Sequence, residues 1–180
     1  MVILNGFLGS GKTTLFRNLL TQSKKRGVLT CAVVNDMSEL DVDGELIAST
    51  DFVESNDSMF QSIHSCVLSS KMGIEKLDAA LNILLTDQKA DLIIIETSGS
   101  CHPMPLIEFF KSQAHLKLTG VLVLVDSLLL AHDYEYGEQL VPLMQQNLER
   151  QQRDMVSLLV EQIMFCSHLI LTKGDRIEKE

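Results

Sequence analysis

Short apolar runs alternate with helical periodicity along this chain. Val2 to Leu4 predicts a first strand, and Thr13 to Lys25 a helix with Leu15, Leu19 and Leu20 on one face. Val28 to Val34 is rich in β-formers. Ile74 to Leu85 reads as an amphipathic helix through Leu77, Leu81, Leu84 and Leu85. Leu92 to Ile95 and Val121 to Val125 are apolar at every position, and Leu169 to Leu171 is the last predicted strand. Pro105 to Gln113 suits a short helix with proline near its start. Gln139 to Phe165 has a long helical pattern with room for a break. Asp51 to Ser62 and Asp133 to Gly137 read as polar loops. Strands apolar throughout are buried on both faces, so alternation with helices predicts an α/β fold with a doubly wound, mostly parallel sheet flanked by helices.

Gly6-Phe-Leu-Gly-Ser-Gly11-Lys12-Thr13 falls between the first strand and the first helix. It fits Gly-x-x-x-x-Gly-Lys-Ser/Thr, the P-loop of nucleoside triphosphate-binding proteins. Such glycines let backbone amides turn onto phosphates, and the helix N-terminus adds its positive dipole end. Gly9, Ser10, Gly11, Lys12, Thr13 and Thr14 are therefore the phosphate-binding residues expected here. Lys12 would reach the outer phosphates and Thr13 would offer its hydroxyl to Mg²⁺.

The strand at Leu92 ends in Glu96-Thr-Ser-Gly99. A carboxylate at the carboxyl end of a parallel strand points into the ligand crevice, so Glu96 is a second candidate for Mg²⁺. Gly99 would let backbone approach the terminal phosphate. Thr172-Lys173-Gly174-Asp175 closes the last strand and resembles the guanine motif Asn/Thr-Lys-x-Asp. A buried Asp175 carboxylate would match two N–H donors on guanine and lose them on adenine, favouring GTP. The Lys173 stem could cover the ring. Lys-Gly-Asp is also good turn chemistry.

Composition adds bounds. The 180 residues allow one domain, with 46% hydrophobic residues and a net charge of -9. An acidic chain disfavours nucleic acid as partner. No apolar run approaches membrane-spanning length, and a cytoplasmic protein is expected. Cys31, Cys66, Cys101 and Cys166 are widely spaced and read as free thiols.

Together the motifs resemble the CobW-type GTPases, related to the UreG and HypB nickel-insertion GTPases. The matching stretches are Gly6 to Leu15, Val33 to Ile47, Leu92 to Gly99, Val121 to Asp126 and Glu161 to Asp175. The resemblance implies a GTP-binding domain over residues 1–180, low intrinsic GTP turnover with GTP, GDP and Mg²⁺ as ligands, and delivery of metal, often zinc or cobalt, to a client metalloprotein. In the family a further strand and helix and then a smaller C-terminal domain follow the guanine motif; this sequence stops at Glu180, so its GTP-binding domain is expected to be truncated there and the C-terminal domain absent from it. A possible homodimer fits the class.

The family's Cys-x-Cys-Cys is reduced here to Ser65-Cys66-Val67-Leu68-Ser69. One thiolate needs help to hold a transition metal such as Zn²⁺; His64, His102 and Cys101 are the candidates beside Cys66. Asn35 to Asp43 reads as a switch segment, in which Asp36 or Glu39 could orient the attacking water or touch the metal. No arginine is clearly placed as a finger, so a partner or second copy is expected to accelerate turnover. The rival readings are a nucleotide-dependent binding module without metal transfer, a small-molecule kinase sharing the P-loop, and a pseudo-enzyme.

Overall fold

A computed structural model describes residues 1–36, 59–86, 90–152 and 154–177. Among the described residues six strands form one sheet: β1 (Val2–Gly6), β2 (Thr30–Asp36), β3 (Phe60–His64), β4 (Leu92–Glu96), β5 (Gly120–Asp126) and β6 (His168–Thr172). Their order is β3-β2-β4-β1-β5-β6, and every pairing is parallel. The helices among the described residues are α1 (Lys12–Lys25), α2 (Lys71–Thr86), α3 (Pro103–Ser112), α4 (Ser127–Asp133), α5 (Leu140–Glu149) and α6 (Met155–Met164). Short 3₁₀ turns cover Glu135–Gly137 and Gly174–Arg176.

The pleat of β1 shows why both sheet faces must be covered. Ile3 and Leu4 are fully buried, yet they belong to opposite layers. Leu4 joins Ala32, Val34 and Ile94 beneath Phe16 and Leu20 of α1. Ile3 joins the larger layer built from α2, α3, α5 and α6. The predicted stripe of α1 is shifted: Phe16 lies deepest, while Leu15 and Leu19 are partly buried.

One expectation is corrected, one is sharpened, and one element is added. Residues 60–62, read as loop, open β3; it is a half-exposed edge strand, and only Phe60 and Ile63 give it an apolar signal. The pattern from Gln139 to Phe165 is two helices. Gln151 takes a left-handed φ of 54°, and the Asp154 side chain then caps α6 by accepting from the Ser157 amide at 3.0 Å. Ser127–Asp133, unassigned from sequence, is α4, capped by Asp126 accepting from the Leu128 amide at 2.9 Å.

Candidate functional site

The carboxyl ends of β1, β2, β4 and β5 open onto one cavity of about 770 Å³. This is the crevice where an open parallel sheet takes its ligands. Gly6, Gly9 and Gly11 have φ of 137°, 75° and 92°. A side chain at Gly6 would also strike the Leu124 carbonyl of β5. The loop therefore needs glycine for both backbone conformation and space. Gly11 precedes α1 without any side-chain cap, so the first amides of the helix are left for a ligand. Lys12 is 7% exposed and its Nζ donates to the Phe7 carbonyl at 2.9 Å, beside that same loop.

Across the cavity, Thr13 Oγ1 donates to Glu96 Oε1 at 2.6 Å. Glu96 is 3% exposed at the end of β4, held in register with Leu4 and Val34. A hydroxyl and a buried carboxylate this close suit a hard divalent cation, and the Ser98 hydroxyl, also in the lining, is buried with no partner among the described residues. The residues present thus fit Mg²⁺ beside a phosphate. Thr97 fastens this strand end to β1, its amide and hydroxyl donating to the Leu4 carbonyl at 3.0 and 3.1 Å. At Gly99 a Cβ would come within 2.7 Å of the Leu8 amide nitrogen, so the loop after β4 lies directly against the phosphate loop.

Gly9, Gly11, Lys12, Thr13, Thr14, Glu96 and Gly99, all singled out in the sequence, share one lining. Ser10, Thr172, Lys173 and Asp175 lie outside it. Thr172 Oγ1 instead donates to the Ser10 carbonyl at 2.9 Å, hooking β6 onto the phosphate loop. Lys173 takes a left-handed φ of 56° and its Nζ meets Asp126 Oδ2 at 2.5 Å. Burial pushes the Asp126 carboxyl up, but the hydrogen bonds from Lys173 and the Leu128 amide hold it below its usual range. Asp175, expected as a buried base-reading carboxylate, is exposed in the closing 3₁₀ turn. That turn follows the sheet's edge strand β6, and no described element covers its outer side.

The thiol candidates are not gathered. Cys66 is buried, its carbonyl accepting from Asn35 Nδ2 at 2.8 Å. Cys101 is fully buried and burial pushes its thiol up to about 11. His102 Nδ1 sits 2.8 Å from Glu161 Oε2. No three His, Cys, Asp or Glu side chains stand together to hold a metal among the described residues. Asp36 ends β2 with its backbone in register with His64, and Glu39 lies outside the described residues.

Four residues that shape the site had no individual role in the sequence reading: Asn5, Asn35, Asp126 and Gln162, although Asn35 opens the expected switch segment and Asp126 closes a family-matching stretch. All but Asp126 are buried carboxamides bonded to backbone, a role for which the sequence gives no spacing signal. Asp126 had a cue of its own, as an acid ending an apolar run.

The CobW/HypB/UreG nucleotide-binding domain family matches residues 1–180. The chain belongs to this family. Among its relatives, the zinc-regulated GTPase metalloprotein activator 1 of Dictyostelium discoideum is 30% identical, covering 99% of this chain and 40% of that protein. The zinc chaperone YjiA of Escherichia coli is 27% identical over 97% of this chain and 49% of its own length. The chain spans about half the length, or less, of these curated relatives. The crystal structure of Zn(II)-bound YjiA GTPase from E. coli superposes with a TM-score of 0.51 at 20% identity, covering 97% of this chain and 49% of that one. That likeness supports the fold, a parallel sheet flanked by helices. No described helix is long and apolar enough to cross a membrane.

Proposed function

We propose that this CobW-type domain binds GTP with Mg²⁺, hydrolyses it slowly, and serves metal delivery to a client metalloprotein. The observation that carries the reading is the Thr13–Glu96 contact at 2.6 Å beside an uncapped helix start and Lys12. The loop amides and Lys12 take the phosphate oxygens, and Thr13 and Glu96 hold the cation. The cation supplies charge neutralisation on the phosphates. Lys12 provides the only cationic side chain among the described lining residues, which fits low intrinsic turnover. Asp36 and Glu39 remain the candidates for orienting the attacking water. Asp175, reached from β6, selects guanine.

Calorimetric titration with GTP, GDP and ATP, each with Mg²⁺, tests the binding. Tight uptake of GTP and GDP with weak ATP is expected; no uptake of any of them at millimolar concentration overturns the proposal. A second reading, a nucleotide-dependent module without transition-metal transfer, is favoured by the buried Cys66, around which no three-ligand cluster stands among the described residues. Single-turnover hydrolysis with and without Zn²⁺, with metal analysis of the purified protein, separates the two.

A further inference from the structure

Gln162 lies in α6 with no exposed surface. An apolar side chain of like volume would avoid the desolvation cost of a buried carboxamide, a cost made larger here because Oε1 has no partner among the described residues, so the bonds of Nε2 are what its presence provides. Its Nε2 donates to two carbonyls of one loop, Gly99 at 3.3 Å and Cys101 at 3.1 Å. The same Cys101 carbonyl accepts from Asn5 Nδ2 at 3.1 Å, while Asn5 Oδ1 accepts from the Gly6 amide at 2.6 Å. Next along α6, Glu161 holds His102 at 2.8 Å. The loop after Glu96 is thus gripped from α6 on one side and from the end of β1 on the other. The opposite end of α6 reaches the cavity itself, through Met155 and Leu158.

We propose that Gln162 is a positioning residue that sets how closely the backbone at residues 99–101 approaches the terminal phosphate of GTP, and that α6 shifts with this loop when GTP replaces GDP. The proposal rests on the GTP-hydrolysing reading above. Gly99 lines the cavity and lies directly against Leu8 of the phosphate loop. On this reading the backbone at Gly99 meets the terminal phosphate alone, so its displacement would act on GTP more than on GDP. Misplacement of a reacting group by about 1 Å costs up to about a hundredfold in rate.

Gln162→Met keeps length and bulk and removes both donors. In that variant we expect GDP affinity within about threefold of the parent and single-turnover GTP hydrolysis lower by at least about tenfold. Equal losses for GDP and GTP, tracking a lowered Tm, would mark a merely structural brace and overturn the inference. Gln162→Glu adds a pH readout, because a neutral carboxyl can still donate to Cys101 whereas a carboxylate faces two carbonyl oxygens. Its hydrolysis rate should recover towards the parent's as the pH is lowered; a profile parallel to the parent's overturns the inference. Should neither variant fold, hydrogen exchange on the parent protein decides. Amides of residues 99–102 and of α6 should change protection together when a non-hydrolysable GTP analogue replaces GDP, and independent behaviour overturns the inference. A parent protein that takes up no guanine nucleotide ends the functional reading itself. Turnover in the parent matched by Gln162→Met ends this inference alone.

Discussion

Thr172 Oγ1 donates to the Ser10 carbonyl at 2.9 Å, joining residues 162 positions apart. The last strand is thereby locked to the phosphate loop. Val125 O lies at 3.3 Å from the same hydroxyl, so the contact also ties β6 to β5. Thr172→Val keeps the shape and removes the donor. It should cost about 1 kcal/mol, the usual net worth of a hydrogen bond, and lower nucleotide affinity with it. Urea denaturation checks this; an unchanged midpoint would show that the contact contributes nothing.

Lys12→Ala should weaken GTP binding by at least about tenfold, because a charge-assisted contact to phosphate is worth about 1.5–3 kcal/mol. Lys12 also bonds the Phe7 carbonyl, so the loop itself should loosen. Titration calorimetry gives the affinity. Equal affinity in the variant would remove Lys12 from the phosphate site.

Asp175→Ala should erode the preference for GTP over ATP by about tenfold. The carboxylate is exposed, so the effect on stability should be negligible. Competition binding with the two nucleotides measures it, and equal discrimination in the variant would exclude Asp175 from base reading.

Asp126 predicts a pH dependence. Its folded-state carboxyl lies below the ordinary 3.8, since Lys173 and the Leu128 amide outweigh burial. The stabilisation is therefore fully present above pH 3.8 and is lost as the pH falls through the lower folded value. Asp126→Asn keeps an N-cap acceptor and removes the ion pair, so it should cost under about 1 kcal/mol at neutral pH. The gap between parent and variant should close in acid. A gap that persists unchanged there contradicts the ion pair.

Cys101 and Cys166 should differ in reactivity. Cys101 is fully buried with its thiol pushed up to about 11, whereas Cys166 is half-buried. At neutral pH, iodoacetamide should label Cys166 well before Cys101. Peptide mass analysis reads the order, and equal rates would contradict the burial.

The sequence by itself determined what is local or periodic. Gly6 to Thr13 named the phosphate loop because one short segment must supply the turn, the cation and the helix start. Leu92 to Glu96 and Val121 to Val125 named central strands because burial on both faces demands apolar residues at every position. The tertiary structure alone decided what depends on distant partners. Phe60 to His64 pairs as an edge strand with β2, and a half-exposed strand has weak patterning. Lys173 could stack on a base as far as the sequence tells, but folding sets its ammonium on Asp126. Asp175 was expected to be buried, and it lies exposed in the turn that follows β6. Asn5, Asn35 and Gln162 look like ordinary polar residues until the fold buries them. They then bond backbone groups up to 96 residues away, because buried amides and carbonyls must find partners wherever the chain places them.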